Sequence, residues 1–233
     1  MTFKTDLENE VKEIFEGRWK VRKGKSVPSP EALSLDNDTV KLNATVLYAD
    51  MSDSTVLVDS HQHTFAAEIY KAYLRCAARI IKDEKGAITA YDGDRVMAVF
   101  LGDAKESSAV RSAMKIHYAV NEIINPALKR CYSEDAYQLR HVIGIDTSEL
   151  FVARIGVKND SDLVWVGRAA NYAAKLCSLS DKYSIYITSD VFDLMNENVK
   201  YGGENNQLMW GKRVWKARNN MMIYRSKCMC SID

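Results

Sequence analysis

The spacing of apolar and polar positions changes along the chain between a period of two and a period near 3.6, so the sequence predicts strands and helices in mixed order. Runs rich in β-branched and aromatic residues indicate strands, and longer runs with apolar residues three or four positions apart indicate helices. In chain order, the predicted elements are a helix within 1–18, a strand over 41–50, a helix over 62–84, strands over 87–91 and 95–100, a helix over 105–131, strands over 139–145, 150–155 and 162–166, a helix over 167–178, a strand over 184–188 and a hairpin of 213–218 with 221–225.

The order strand, helix, hairpin, helix, strand predicts an α+β fold with a ferredoxin-like β-α-β-β-α-β core and extra C-terminal strands. The antiparallel sheet of this core is expected to be covered by helices on one face. We place the main domain at 41–233 and assign 1–40 to an N-terminal helix and linker. The helix is amphipathic and is expected to dock on the main domain or on a partner subunit, and 21–30 is a basic connector that contains proline.

Composition and charge exclude several classes of function. Of the 233 residues, 47% are hydrophobic and 27% are charged, as in a typical globular protein, and the formal net charge is +1. Such a balance gives no field that would attract nucleic acid or an anionic membrane, so we expect neither partner. The first twenty residues are charged throughout, unlike a signal peptide, and the five cysteines lack the spacing of a zinc site. Both observations favour a reduced, cytoplasmic compartment.

The first candidate site lies where the strand that begins near Lys41 ends in an acid. Asp50 is soon followed by Ser, Asp and Thr, residue types that cap helices, so the strand is expected to run directly into a helix N-terminus. A carboxylate at this position can hold a hard cation such as Mg²⁺. The free N–H groups of the next turn can receive phosphate oxygens, so Met51, Ser54 and Thr55 are candidate substrate contacts. The alternative is an ordinary strand-to-helix turn capped by aspartate.

A second acid, Asp94, is expected to meet Asp50. The predicted topology places the end of the first core strand beside the tip of the hairpin whose turn is Asp92-Gly93-Asp94. Two carboxylates can hold two divalent cations about 3.5–4 Å apart, an arrangement used for in-line phosphoryl chemistry. Taken alone, Asp94 is better explained as a turn aspartate. Its predicted pairing with Asp50 favours the metal site.

Three segments together resemble the signature blocks of the class III nucleotidyl cyclases. They are Tyr48–Thr55, Asp92–Phe100 and Val166–Leu176, they occur in the order found in that family, and the similarity extends over about 41–225. The resemblance implies that 41–233 is a catalytic domain. It also implies a head-to-tail homodimer with active sites at the interface.

The same resemblance assigns roles to single residues. It implies two divalent cations, Mg²⁺ or Mn²⁺, on Asp50 and Asp94, and an asparagine, Asn171, that orients the ribose. Four residues later the family usually has an arginine that stabilises the transition-state phosphate. This chain has Lys175, which keeps the charge but lacks the bidentate fork. The spacing of Asn171 and Lys175 places them on one helix face, and a solvated surface lysine is the alternative for Lys175.

The positions at which adenylate cyclases of this class read the purine base hold side chains that cannot form hydrogen bonds. They are Ala90, four residues before the second acid, and Val164, seven before the asparagine. The chain resembles most closely the small stand-alone pyrimidine cyclases of bacterial Pycsar anti-phage systems, which make cyclic UMP or cyclic CMP. Tyr48 is the candidate wall for the smaller base, with a core tyrosine as the alternative. Arg168 is a further candidate for binding pyrimidine or phosphate, with a plain surface arginine as the alternative.

These implications predict an enzyme that converts UTP, or else CTP, to the 3′,5′-cyclic monophosphate and pyrophosphate. The product would be a second messenger in antiviral defence. The protein would act by positioning and electrostatic stabilisation rather than by covalent chemistry. Two alternatives stay open: an adenylate cyclase of class III, and a non-catalytic cyclase-like module for dimerisation or nucleotide sensing.

Overall fold

The computed structural model describes residues 2–132, 137–180 and 182–232, and its architecture is α+β. Its elements are, in chain order, α1 (Phe3–Glu16), β1 (Lys20–Lys23), a 3₁₀ turn (Pro30–Ala32), β2 (Asp38–Met51), α2 (Ser54–Ser60), α3 (His63–Asp83), β3 (Ala87–Asp92), β4 (Arg95–Phe100), α4 (Lys105–Tyr118), a π-helical segment (Ala119–Ile124), α5 (Asn125–Tyr132), β5 (His141–Val157), β6 (Asp160–Val166), α6 (Arg168–Cys177), β7 (Ile185–Thr188), α7 (Ser189–Leu194), α8 (Glu197–Lys200), β8 (Tyr201–Gly202), β9 (Gln207–Leu208), β10 (Gly211–Trp215), a 3₁₀ turn (Lys216–Arg218) and β11 (Met221–Ser226). Within these described ranges, no helix is long and apolar enough to cross a bilayer.

The chain divides into two compact units, of which the first comprises residues 1–43 and 149–167. In this unit β1 pairs in parallel with the start of β2, and β6 pairs antiparallel with the end of β5. The hydroxyl of Thr39 donates a hydrogen bond to the carbonyl of Val152 and so links β2 to β5. The segment 21–30, predicted as a connector, needs a correction, because its first residues belong to strand β1.

Helix α1 is attached to this first unit at its C-terminal end. The side-chain amide of Asn37 donates hydrogen bonds to the carbonyls of Ile14 and Gly17, each of 2.8 Å. The apolar side chains of the helix face solvent, with Phe3 78% and Phe15 83% exposed. Every side chain of α1 is at least partly accessible, so docking on the main domain or on a partner subunit stays a prediction.

The second unit comprises residues 44–148 and 168–233, and its strands form a sheet in the order β10-β11-β7-β5-β2-β4-β3. The part β5-β2-β4-β3, with α3 before the β3–β4 hairpin and α4 to α5 after it, is the predicted ferredoxin-like core. Strands β7, β11 and β10 are the additional C-terminal strands. The helix predicted over 105–131 is confirmed, although its middle, Ala119–Ile124, is π-helical.

The main hydrophobic core lies on one face of this sheet, beneath α3 and α4. Helix α3 buries a stripe with helical spacing: Ala66, Ile69, Tyr73, Ala77, Ile80 and Ile81. The sheet contributes alternate positions of its central strands: Leu47, Ala49, Val96, Ala98, Phe100, Ile143 and Ile145. Burying each large apolar side chain stabilises the fold by roughly 1.5–3 kcal/mol. The ends of β2 and β4 are therefore rigid supports for any group they carry.

Helix α6 packs on the opposite face of the sheet, so the expectation that helices cover one face only needs correction. Leu176 of α6 packs with Val142 of β5 in a second buried cluster. Gly144 of β5 lets the helix approach closely, because a Cβ there would lie 2.1 Å from the carbonyl oxygen of Ala173. Contacts made through glycine and alanine add little to a hydrophobic pattern, which is why the sequence did not indicate this layer.

A further correction concerns β5, a single strand (His141–Val157) where the sequence predicts two. The polar residues between the two predicted strands form no turn. Thr147 donates a hydrogen bond to the carboxylate of Glu106 (2.9 Å), and the hydroxyl of Ser148 accepts the N–H of Ala169 (2.9 Å). These polar groups find partners on both sides of the sheet, so the strand continues through them. The short elements α7, α8, β8 and β9 were not predicted either.

Replacing Gly144 by alanine is expected to destabilise the protein, since the added Cβ would lie 2.1 Å from the carbonyl oxygen of Ala173 and 2.7 Å from the Cβ of Leu176. Overpacking of this kind lowers the free energy of unfolding by about 1–3 kcal/mol, which urea denaturation would measure. Gly211→Ala is the matched control, because the nearest atoms to its Cβ lie 3.8 Å away. Equal stability of the two variants would contradict the close packing of α6 on β5.

Candidate active site

Asp50 lies on β2, and Asp94 lies in the turn that leads into the neighbouring antiparallel strand β4, as the sequence predicted. Asp50 is near the end of β2 and pairs directly with Arg95, the first residue of β4. Asp94 precedes Arg95 in the β3–β4 turn, where Gly93 adopts a left-handed conformation with φ of 60°. Glycine takes this conformation without strain, so the turn sets the position of the following acid. The register thus fixes both carboxylates at the same end of the sheet.

The electrostatics of this pair fit a divalent cation. Burial and, to a smaller extent, the nearby charge of Asp94 together raise the pKa of Asp50 to about 6. The positive charge of Arg95 lowers this pKa, and its guanidinium binds Asp92 through Nη2 (2.6 Å) and Nε (3.1 Å). Two hard oxygen donors that repel each other in a partly desolvated place are suited to Mg²⁺ or Mn²⁺.

A cleft of about 350 Å³ opens beside Asp50. Its walls come from the end of β2, the start of β5 and the end of α6: Asp50, Met51, Ser52, Asp53, Arg140, Val142, Cys177, Ser178 and Leu179. Arg140 forms an ion pair with Asp53 at this cleft, and its carbonyl accepts the N–H of Ser52 (2.9 Å). The sequence did not single out Arg140. The order β5-β2 could have indicated it, because it places the start of β5 beside the end of β2.

Tyr48 precedes Asp50 by two residues on β2, so both side chains face the same side of the sheet. The ring is half-buried, and burial raises the pKa of its hydroxyl. Its carbonyl accepts a hydrogen bond from the thiol of Cys177 (3.4 Å), so the last turn of α6 lies against β2. The position of Tyr48 is compatible with a wall beside the acids, and contact with a base stays a prediction.

Asn171 and Lys175 lie one turn apart on α6, as their spacing predicted, and both are exposed. Only the C-terminal end of α6, at Cys177, reaches the cleft. Asn171 lies six residues earlier, which corresponds to about 9 Å along a helix axis. The chain therefore brings the two acids together but directs the asparagine and lysine outward.

The three predicted contacts that follow Asp50 differ in exposure. The side chain of Met51 is buried in the main core, so only its main chain can face the cleft. Ser54 is half-buried and Thr55 is exposed in the first turn of α2. Asp53, which precedes the helix, has a left-handed backbone conformation (φ 56°). Substrate contacts of these residues stay predictions, and for Met51 the prediction narrows to its backbone groups.

The two positions associated with purine reading occupy different units. Ala90 is exposed on the edge strand β3, opposite Met97 and next to a bulge. Val164 is half-buried on β6 of the first unit and pairs with Ala153. An alanine and a valine side chain offer neither donor nor acceptor to a base.

Arg168 is engaged within its own chain. Its Nε donates to the carboxylate of Asp146 (3.1 Å), its Nη2 donates to the carbonyl of Thr147 (2.7 Å), and it forms an ion pair with Asp190. The predicted contact with pyrimidine or phosphate would require the guanidinium to leave these acceptors. The structure instead gives Arg168 a role at the start of α6. The sequence did not indicate Asp146, because a lone acid inside an apolar run gives no signal of its partner.

Comparison with known proteins gives a family, relatives by sequence and structures with a similar fold. The family model for the adenylate and guanylate cyclase catalytic domain matches residues 38–225. The chain is 48% identical to a uridylate cyclase of Xanthomonas perforans over the full length of both chains. It is 50% identical to a uridylate cyclase of Burkholderia cepacia over 92% of this chain and 93% of that one. The fold resembles the crystal structure of the guanylyl cyclase Cya2, with a TM-score of 0.68 and 18% identity over 82% of this chain and 94% of that one.

Replacing Asp50 by asparagine is expected to stabilise the metal-free protein at alkaline pH. The folded state holds the Asp50 proton up to a pKa of about 6, against an ordinary value of 3.8, so its stability falls as pH rises between these values. Allowing for solvent screening, we expect a gain of about 1 kcal/mol at pH 8 in EDTA that vanishes near pH 4.

Urea denaturation at both pH values would measure this gain, with the exposed Asp160→Asn as control. Mn²⁺ at pH 8 should then raise the melting temperature of the wild type and not that of Asp50→Asn. A variant whose free energy of unfolding matches that of the wild type from pH 4 to pH 8 would contradict the raised pKa of Asp50.

Proposed function

The chain belongs to the class III nucleotidyl cyclases, the family of adenylate and guanylate cyclase catalytic domains, and on this premise we propose that it cyclises a pyrimidine nucleoside triphosphate. The substrate we propose is UTP, with CTP as the second choice. The products would be the 3′,5′-cyclic monophosphate and pyrophosphate. The observation that carries the proposal is the pairing of β2 with β4, which brings Asp50 and Asp94 to one end of the sheet.

The choice of base is supported by two observations. The relatives from Xanthomonas perforans and Burkholderia cepacia, which match over nearly their whole length, are both named uridylate cyclases. Ala90 and Val164 replace the polar groups that would satisfy a purine edge, and an unpaired buried polar group costs about 1–3 kcal/mol. Tyr48 lies on the same side of the sheet as Asp50 and is the proposed wall for the smaller ring.

The two acids would hold the divalent cations that class III cyclases require. Bound cations would lower the effective pKa of the ribose 3′-hydroxyl and neutralise charge on the triphosphate. Asp50 and Asp94 supply the anionic oxygens, and the β2–β4 pairing keeps both carboxylates in place before the substrate arrives. The guanidinium of Arg95, a positive charge that would compete with a cation for the two acids, is bound to Asp92.

The other half of the site would come from a second copy of the chain. Asn171 and Lys175 are exposed on α6. Only the last turn of that helix lines the cleft beside Asp50. A two-fold dimer would place the asparagine and lysine of one chain over the acids of the other. There Asn171 would hold the ribose, and Lys175 would stabilise charge on the transferring phosphorus.

The alternatives are an adenylate cyclase with an unusual base contact and a module without activity. A nucleotide-sensing module would not require two paired acids with a raised pKa at Asp50. An adenylate cyclase would require a polar side chain for the base, and Ala90 and Val164 provide none. The first of these observations favours catalysis, and the second favours a pyrimidine.

Incubation with each of the four nucleoside triphosphates and Mn²⁺, with products identified by mass, tests the substrate. We expect cyclic UMP in excess, less cyclic CMP and only traces of purine products. Asp94→Ala should reduce turnover by at least about 1,000-fold while leaving the melting temperature close to that of the wild type. Asp103→Ala, an exposed acid between β4 and α4, is the matched control. Undiminished turnover of Asp94→Ala would end the assignment.

Mixing two inactive variants tests the shared site. Asp50→Ala spoils the acid half and Asn171→Ala spoils the α6 half, so each variant alone should be inactive. After denaturation and joint refolding, half the dimers are mixed and each contains one intact site, so about a quarter of wild-type activity should return. A mixture that remains inactive, although the two variants form dimers, would contradict a site shared between chains.

A role of the product as a second messenger in antiviral defence is also part of this proposal, and it rests on the Pycsar resemblance. Cells that carry the wild-type chain with its genomic neighbours should resist phage, and cells that carry Asp94→Ala should not. Equal plaque numbers on both strains would contradict the defensive role.

A further inference from the structure

We propose that Arg168 is a positioning residue, which clamps the first turn of α6 to β5 and so sets where Asn171 and Lys175 stand. The inference rests on the proposed function, because the position of α6 affects activity only if Asn171 and Lys175 act on a substrate. It replaces the substrate contact that the sequence indicated for Arg168.

The clamp is built around a fully buried carboxylate. Asp146 of β5 has no solvent-accessible side-chain surface, and it accepts hydrogen bonds from Arg168 (Nε, 3.1 Å, and Nη2, 3.3 Å) and from the hydroxyl of Thr188 (2.6 Å). The same guanidinium donates to the carbonyl of Thr147 (2.7 Å) and pairs with Asp190 at the start of α7. A planar guanidinium that serves four acceptors fixes its own orientation, and a point charge could not do the same.

The contacts of β5 with α6 form a continuous row. Alternate residues of the strand face the helix from end to end: Val142 against Leu176, Gly144 against Ala173, Asp146 against Arg168, and Ser148 against the N–H of Ala169. The contacts in the C-terminal half are close packing against β5 and one weak hydrogen bond, from the thiol of Cys177 to the carbonyl of Tyr48 (3.4 Å). The contacts at Arg168 and Ala169 are directional hydrogen bonds, so they fix the rotation of α6 and its position along its own axis.

The position of this clamp matters for the exposed face of the helix. Asn171 is three residues from Arg168, within one turn, and Lys175 is on the next turn of the same ten-residue helix. A rotation of α6 would move both groups together relative to a partner chain. Misplacement of a reacting or binding group by about 1 Å can cost about 100-fold in rate. Loss of the clamp should therefore lower kcat with little change in KM.

The variant that tests this removes both charges of the clamp. Arg168→Gln alone would leave Asp146 buried and unpaired, which could unfold the chain. Arg168→Gln combined with Asp146→Asn leaves neutral groups of similar shape. We expect kcat to fall about 10- to 100-fold and KM to change by less than about threefold. Arg168→Lys should give an intermediate kcat.

The matched control is a second arginine–carboxylate pair in the same unit. Arg111 of α4 binds Glu84 through Nε (2.9 Å) on the opposite side of the sheet, where it touches no part of α6. Arg111→Gln with Glu84→Gln should therefore lose stability without losing kcat. A clamp variant with wild-type kcat, or with a kcat no lower than that of this control, would overturn the proposal.

Mixed dimers distinguish a displaced α6 from a damaged fold. Joint refolding of the clamp variant with Asp50→Ala should restore about a quarter of wild-type activity, because the clamp variant still supplies good acids. Joint refolding with Asn171→Ala should restore none, because both chains then carry a defective α6. Failure to recover with Asp50→Ala, or recovery with Asn171→Ala, would overturn the proposal. If Asp50→Ala and Asn171→Ala also fail to complement each other, the shared site of the proposed function is refuted first.

Discussion

The mutual repulsion of Asp50 and Asp94 is the constraint on which the site depends. Folding forces the two carboxylates to the same end of the sheet, because the register that pairs Asp50 with Arg95 also fixes the residue before Arg95. The pKa of Asp50 is raised, first by burial and then by this repulsion. The adjacent Arg95 relieves only part of the resulting cost, and its guanidinium is bound to Asp92. An apolar core under β2 and β4 offsets the cost, so a bound cation would gain from charges that are already assembled.

The sequence was sufficient for the parts of the fold in which strand and helix periods are strong. Strands β2, β3 and β4, helix α3 and the convergence of Asp50 with Asp94 follow from periodicity and turn chemistry. The sequence was insufficient where the contact is made by small or polar groups. Gly144 and Ala173 bring α6 onto the second face of the sheet, yet neither contributes to an amphipathic pattern. The predicted interruption of β5 was wrong, because residues distant in the chain form hydrogen bonds with the side chains of Thr147 and Ser148.

The same limit explains why the candidate site was only partly predicted. A residue such as Asp50 can be found from the sequence around it, because the end of its strand and the following helix start are both local signals. A residue such as Arg168 has a meaning that depends on Asp146 and Asp190, each twenty-two positions away in the chain. No short motif carries that information. An arginine on a helix that bears candidate substrate contacts therefore resembles a ligand-binding residue until its partners are known.

The presence of Lys175 where the family usually has arginine increases the importance of how α6 is held. A guanidinium can retain two hydrogen bonds to a phosphate through small displacements, because its fork engages two oxygens at once. An ammonium group is a point charge on a flexible stem, and its electrostatic contribution falls as the distance to the phosphate grows. With the role that we propose for Lys175, a helix that carries lysine at this position needs a more rigid attachment to obtain the same stabilisation. A buried carboxylate with directional donors at the first turn of α6 provides such an attachment.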